Sequence, residues 1–161
     1  WHQGKLRTHG PAEGVYVAPG AVPQRGPVRV LLGRYGVISH PIASPSPLLS
    51  LDVALAEGER WSVQPPSGHT VAWVFVYRGR ALVNGEALSD ELVVLEPGRG
   101  DVAIEAIEPC RLLVGSAVHH SHPLVLGSHS VHTSPEALAK GIEGIQRVGQ
   151  QLGSALKSTA S

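Results

Sequence analysis

The stretch His129-Ser-Val-His-Thr-Ser-Pro-Glu-Ala-Leu138 decides how this chain is read. It carries a histidine-bearing loop into a helix start, after a hundred residues whose patterns are those of β-strands. Thr133 and Glu136 stand at the T-x-x-E spacing of a capping box, with Thr133 as the expected cap. Pro135 is tolerated there, because the first helical turn holds N–H groups without intrahelical partners. Beyond it Leu138, Ile142, Ile145, Leu152 and Leu156 recur at helical spacing and define one apolar stripe. Gly141, Gly144, Gly149 and Gly153 each weaken such a helix by up to about 1 kcal/mol relative to alanine. The helix therefore needs a partner surface, either the chain's own sheet or another domain.

Upstream, the periodicity is that of strands. Val28 to Tyr35 opens the body, and the prolines of His40-Pro-Ile-Ala-Ser-Pro-Ser-Pro47 exclude that segment from the middle of a sheet. Leu51, Val53 and Leu55 alternate with Asp52 and Ala54, which places Asp52 on a wet face. Thr70 to Tyr77 is apolar on both faces and reads as a central strand covered on each side. Asn84-Gly85 marks a hairpin turn. Val102 with Ile104, and Arg111 to Gly115, complete the series. Many short strands with turn signals between them specify a sandwich or barrel.

Of 161 residues, 16% are charged and 42% hydrophobic, with 19 glycines and 13 prolines, a composition suited to short strands and turns. The 13 basic residues balance 13 acidic ones. A chain without basic excess lacks the electrostatic footprint of direct nucleic-acid binding, and Arg25, Arg29 and Arg34 read as ordinary strand-edge residues. Cys110 is the single cysteine, so no intrachain disulfide forms, and its apolar neighbours suggest a buried, inert thiol. No apolar run approaches membrane-spanning length, and the opening residues lack a signal-peptide core, so cytoplasmic placement is the expectation. The lack of any methionine makes the sequence read as part of something longer.

Four segments resemble the pirin family, a branch of the cupin superfamily. They are Gly26-Pro-Val-Arg-Val-Leu-Leu-Gly33, Gly68-His-Thr-Val-Ala-Trp-Val74 running on to Gly79, Leu112-Leu-Val-Gly-Ser116, and Ser130-Val-His-Thr-Ser-Pro-Glu-Ala-Leu138. The resemblance covers roughly residues 26 to 152 and is to the C-terminal half of a bacterial pirin-like protein. It implies an all-β fold, a cupin or jelly-roll β-sandwich with a C-terminal α-helix. The expected organisation is a linker or arm over residues 1–26, with Val15 to Val17 as its strand-like element. A sandwich over 27–133, a helix packing on it over 134–157 and a frayed tail over 158–161 follow. It further implies an N-terminal cupin domain, not contained in this sequence, that holds iron or another divalent metal. That domain would be the principal partner, with other proteins as further partners. Three functions follow: a non-catalytic half supporting the metal-binding half, part of an iron-dependent quercetin 2,3-dioxygenase-like oxidoreductase, or a protein-binding regulatory module.

No family metal ligand carries over onto these residues. A catalytic cupin needs several ligands converging on the barrel mouth with coordination positions left open. His69 stands where a first ligand would lie, but the next positions are Val71 and Ala72. The expected site is thus degenerate, with no catalytic residue and no cofactor of its own. His119, His120 and His122 form the rival signal, since imidazole is the commonest metal ligand. Their expected role is a polar loop, and that of His129 and His132 is local hydrogen bonding. Thr133, Glu136, Leu138, Ile142 and Ile145 are the expected structural or interface residues.

Overall fold

The computed structural model describes residues 15–44, 46–98 and 100–158, with side chains described up to residue 151. What was expected of residues 1–14, of 159–161 and of the Leu152 and Leu156 side chains lies outside the described residues. The chain forms two compact units, one ending at His119 and the other beginning at His120.

Among its described residues the first unit has strands and one 3-10 turn, Pro19–Ala21. Its strands are β1 (Gln24–Arg25), β2 (Val28–Leu32), β3 (Arg34–Tyr35), β4 (Ile38–Ser39), β5 (Leu48–Leu55), β6 (Arg60–Val63), β7 (Val71–Arg78), β8 (Ala81–Val83), β9 (Glu86–Leu88), β10 (Glu91–Leu95), β11 (Val102–Ala106) and β12 (Cys110–Ala117). Ten of them form a six-stranded sheet in the order β1-β2-β5-β12-β7-β10 and a four-stranded sheet in the order β6-β11-β8-β9, while β3 and β4 pair with each other as a separate two-stranded ribbon. Every pairing is antiparallel.

Alternation fixes which side chains enter the core. Leu49, Leu51, Val53 and Leu55 on β5 point inward with Val74 and Val76 on β7 and Leu112 and Val114 on β12. Val63, Ala81, Val83, Val102, Ile104 and Ala106 answer from the smaller sheet. The buried cluster runs entirely between Val28 and Val114, so this core closes without any helix residue. Cys110 is a buried free thiol within it, and burial raises its pKa, as expected for an inert cysteine. Asn84 and Gly85 both take positive φ in the turn between β8 and β9, the backbone that two-residue hairpin turns demand.

Four expectations change. Val15 to Val17 forms no strand among the described residues; the arm's strand is β1, which pairs with β2 across Gly26-Pro27. The opening strand is interrupted at Gly33, whose α-hydrogen faces the Leu48 carbonyl with no room for a side chain. One face of β7 is buried through Val74 and Val76, while Trp73 and Phe75 are only half-buried and Tyr77 is exposed. The run is apolar on both sides for different reasons: one face fills the core, the other forms an outer aromatic row. Asp52 does not face water; it is 6% exposed. Alternation assigns it correctly to the outer face of the large sheet, but neighbouring strands close over it.

The second unit joins a small hairpin, β13 (Val125–Leu126) and β14 (Val131–His132), to the helix α1 (Pro135–Ser158). The Gly127 N–H donates to the Ser130 carbonyl at 2.8 Å and closes the hairpin. Leu138 lies on Gly127, and the His132 ring lies on Gly141, contacts that a larger residue at either glycine would block. The helix cap is Ser134 rather than Thr133: the Ala137 N–H donates to Ser134 Oγ at 3.1 Å. A residue before proline is disfavoured in helical conformation, so Ser134 stays outside the helix as the cap and Pro135 becomes the first helical residue. Glu136 hydrogen-bonds to its own N–H and to the Ser134 side chain, which lowers its carboxyl pKa. Past Leu138 the stripe is open: Ile142, Ile145 and Val148 are exposed, Ile145 by 70%. No described helix is long and apolar enough to cross a membrane.

Candidate functional site

Two places in the first unit gather chemistry. One is the mouth of the sandwich, where the segment entering β7 meets the loop before β11. His69, Thr70, Val71, Ala72, Asn84, Glu96 and Asp101 border a cleft of about 140 Å³. Below it the interior is filled by the aliphatic cluster, but the mouth itself keeps polar walls. His69 Nδ1 lies 2.8 Å from Ser116 Oγ, and Ser116 is buried at 3% exposure. One imidazole nitrogen is thus engaged by the protein.

Desolvation lowers the His69 pKa below its ordinary 6.5, with hydrogen bonding to the Ser116 backbone opposing in part. The folded chain therefore binds this proton less readily than the unfolded chain does. The contribution is complete above about pH 6.5 and is lost as pH falls through the lower folded value. Thermal melts between pH 7.5 and 5 should show a falling midpoint on acidification, with a shallower slope in His69→Gln. An identical slope in the variant would assign the acid sensitivity to other groups.

The second place is the outer face of the large sheet. Arg29 is the register partner of Asp52 on the neighbouring strand. Its Nη1 donates to Asp52 Oδ2 at 3.3 Å, and Arg111 Nη2 donates to the same oxygen. Tyr77 Oη donates to Asp52 Oδ1 at 2.8 Å. Tyr77 sits at a register shift between β12 and β7, where Arg111 pairs with Arg78 and Leu112 with Val76. Such bulges re-aim side chains. Burial, together with the Asp52 carboxylate, raises the Tyr77 pKa, against an opposing effect of Arg111. The phenol is therefore held as a donor. The Arg111 guanidinium carbon lies 5.6 Å from the centre of the Tyr77 ring. Beside this cluster the Trp73 indole covers Gly115, filling the space where a β-carbon would stand.

The histidine expectations resolve separately. His119 is exposed, and its backbone N–H donates to Thr70 Oγ1 at 3.2 Å. His120 Nδ1 lies 3.0 Å from the His122 carbonyl oxygen, and the two rings meet edge-on at 5.3 Å. His129 is exposed, and His132 Nε2 bonds to Ser130 Oγ at 2.8 Å. Among the described residues, no group of three or more His, Cys, Asp or Glu side chains is arranged to hold a metal ion. The donor set present does not fit a catalytic iron centre, which needs several converging ligands.

Sequence reasoning missed the Asp52 cluster and the His69–Ser116 pair. The signal for the first was available: a carboxylate inside an eight-residue apolar strand with arginines on other strands. The pairing of those strands was not.

No family model matches the chain. It is 32% identical over 122 residues to a quercetin 2,3-dioxygenase-like protein of Pseudomonas aeruginosa, covering 75% of this chain and 42% of that one. A crystal structure of quercetin 2,3-dioxygenase from Acinetobacter baumannii matches at TM-score 0.68 and 24% identity, over 74% of this chain and 42% of that one. A Geobacillus kaustophilus protein matches at TM-score 0.58 and 16% identity, over 65% and 46% of the two chains. The fold is that of the cupins. The chain spans less than half the length of each of these three proteins.

Proposed function

We propose that this cupin-fold chain is the non-catalytic half of a pirin-like two-domain protein and supports a metal-binding cupin half. The observation that carries this is the sandwich mouth. It offers one imidazole, tied to a buried serine, with Val71 and Ala72 where further ligands would be needed. Two others agree with it: the relatives extend well beyond the matched region, and the open Ile142, Ile145 and Val148 stripe suits a second surface. In this reading the partner half carries iron or another divalent metal, and this half covers one side of it.

The length and 32% identity of the Pseudomonas aeruginosa relative favour a second reading at the level of the whole protein. The parent would be an iron-dependent quercetin 2,3-dioxygenase-like oxidoreductase whose reacting groups lie in the other half. Calorimetric titration of this chain with ferrous iron, followed by assay with quercetin, tests both at once. The expected result is no stoichiometric binding and no turnover, unchanged in His69→Ala. One iron per chain, lost in His69→Ala, would overturn the supporting role and move the chemistry into this sandwich.

A further inference from the structure

The two sheets have four edges, and three of them are guarded. β1 is only two residues long, ends in Arg25 and runs straight into Gly26-Pro27. β9 is three residues long and begins with Glu86. β6 carries Arg60, whose guanidinium makes a two-bond ion pair with Glu105 of β11. Short length, charge and proline are the ordinary devices that stop a sheet edge from adding another strand.

The fourth edge is the longest, and its one charged residue, Glu91, stands at its very end. β10 reads Glu91-Leu-Val-Val-Leu95 and pairs with β7 in unbroken register from Glu91↔Val76 to Leu95↔Ala72. Among the described residues its other side has no strand neighbour. Val93 and Leu95 pack inward against the core. Leu92 and Val94 point to the outer face and are 63% and 65% exposed. The strand is regular, apolar on both faces and free of proline and basic residues, with open main-chain donors and acceptors along one side.

We propose that β10 is a self-association edge, and that its occupant is β10 of a second copy of this chain, antiparallel about a two-fold axis at Val93. In that register Leu92 stands opposite the partner's Val94, Val93 opposite the partner's Val93, and Glu91 opposite the partner's Leu95. The three central facing pairs are aliphatic, the kind that stabilise cross-strand contact, and a Glu91–Leu95 pair closes each end. Charge selects the direction. Antiparallel pairing holds the two Glu91 side chains at opposite ends, roughly 13 Å apart at about 3.3 Å per residue. A parallel arrangement would set them side by side. The contact is isologous and uses up both open edges, so it closes at a dimer. The guarded β1 edges then terminate a continuous twelve-stranded sheet. This inference is independent of the proposed supporting role.

One five-residue strand pair buries far less than the about 1,200 Å² of a standard stable interface, so the dimer is weak and exchanges rapidly. Sedimentation equilibrium of the intact chain from about 5 µM to about 1 mM should show a monomer–dimer transition within that range. Leu92→Lys combined with Val94→Lys, at exposed positions, should keep the circular dichroism spectrum and weaken association by more than about 100-fold, near 2.7 kcal/mol. Ile145→Lys on the helix stripe should leave the dimer intact. Concentration-dependent amide shifts in the unmutated chain give a readout free of any folding defect, and they should centre on residues 91–95. A monomer at about 1 mM, shifts confined to other residues, or a dimer broken by Ile145→Lys and not by the double lysine variant would overturn the proposal.

Discussion

Asp52→Ala should destabilise the first unit by about 2–3 kcal/mol, because it leaves two guanidinium groups facing each other with no counter-charge. Asp52 is nearly buried and receives Arg29, Arg111 and Tyr77. Removing one member of a fully buried ion cluster costs about 3–5 kcal/mol. The arginines here keep 30% and 37% of their side chains exposed, so water takes up part of their charge. The loss should therefore fall below the fully buried case. A thermal midpoint lower by about 10 °C is the expected reading for a unit of this size. Tyr77→Phe, which removes one hydrogen bond and leaves the ion pairs, should cost only about 1 kcal/mol. A double-mutant cycle between Asp52 and Arg111 separates their coupling from the effect of burial. A midpoint in Asp52→Ala within about 2 °C of the parent would show that solvent already satisfies the arginines.

Gly79→Ala should be at least as damaging. Gly79 follows β7 with φ +75, and a β-carbon there would collide with the Pro109 carbonyl oxygen and approach Cys110 Cα to 2.9 Å. The left-handed backbone alone costs an alanine about 1–2 kcal/mol. Displacing the 109–110 backbone, which leads directly into the central strand β12, adds about 1–3 kcal/mol of overpacking. Gly85→Ala is the control, since Gly85 also has positive φ but has open space around its α-carbon. Denaturant unfolding should show Gly85→Ala losing only the conformational part, and the difference between the two variants measures the steric part. Equal losses would mean that the loop before β12 yields freely.

Most of the sandwich was legible residue by residue. Leu51, Val53 and Leu55 declare a half-buried strand by their spacing, and Asn84-Gly85 declares a hairpin by the backbone it permits. The helix cap was nearly legible: Thr133 and Glu136 have the right spacing, but Pro135 shifts the cap to Ser134. That correction follows from a local steric rule and could have been made from the sequence. At the mouth, the sequence showed one histidine, His69, followed by the apolar Val71 and Ala72. The polar cleft that persists above the filled interior depends on how the loop before β11 approaches His69.

The sequence by itself determined which segments become strands, where the turns fall, that one helix follows them, and which side of each strand is apolar. These are properties of neighbours along the chain, set by period, steric preference and hydration. Only the tertiary structure decided that Asp52 is buried among Arg29, Tyr77 and Arg111, that Ser116 engages His69, and that β10 stands at an open edge while β1 is guarded. Each of those depends on which strands pair and in what register. That choice is made by burying the whole core at once, and it brings together residues up to 59 positions apart in the chain.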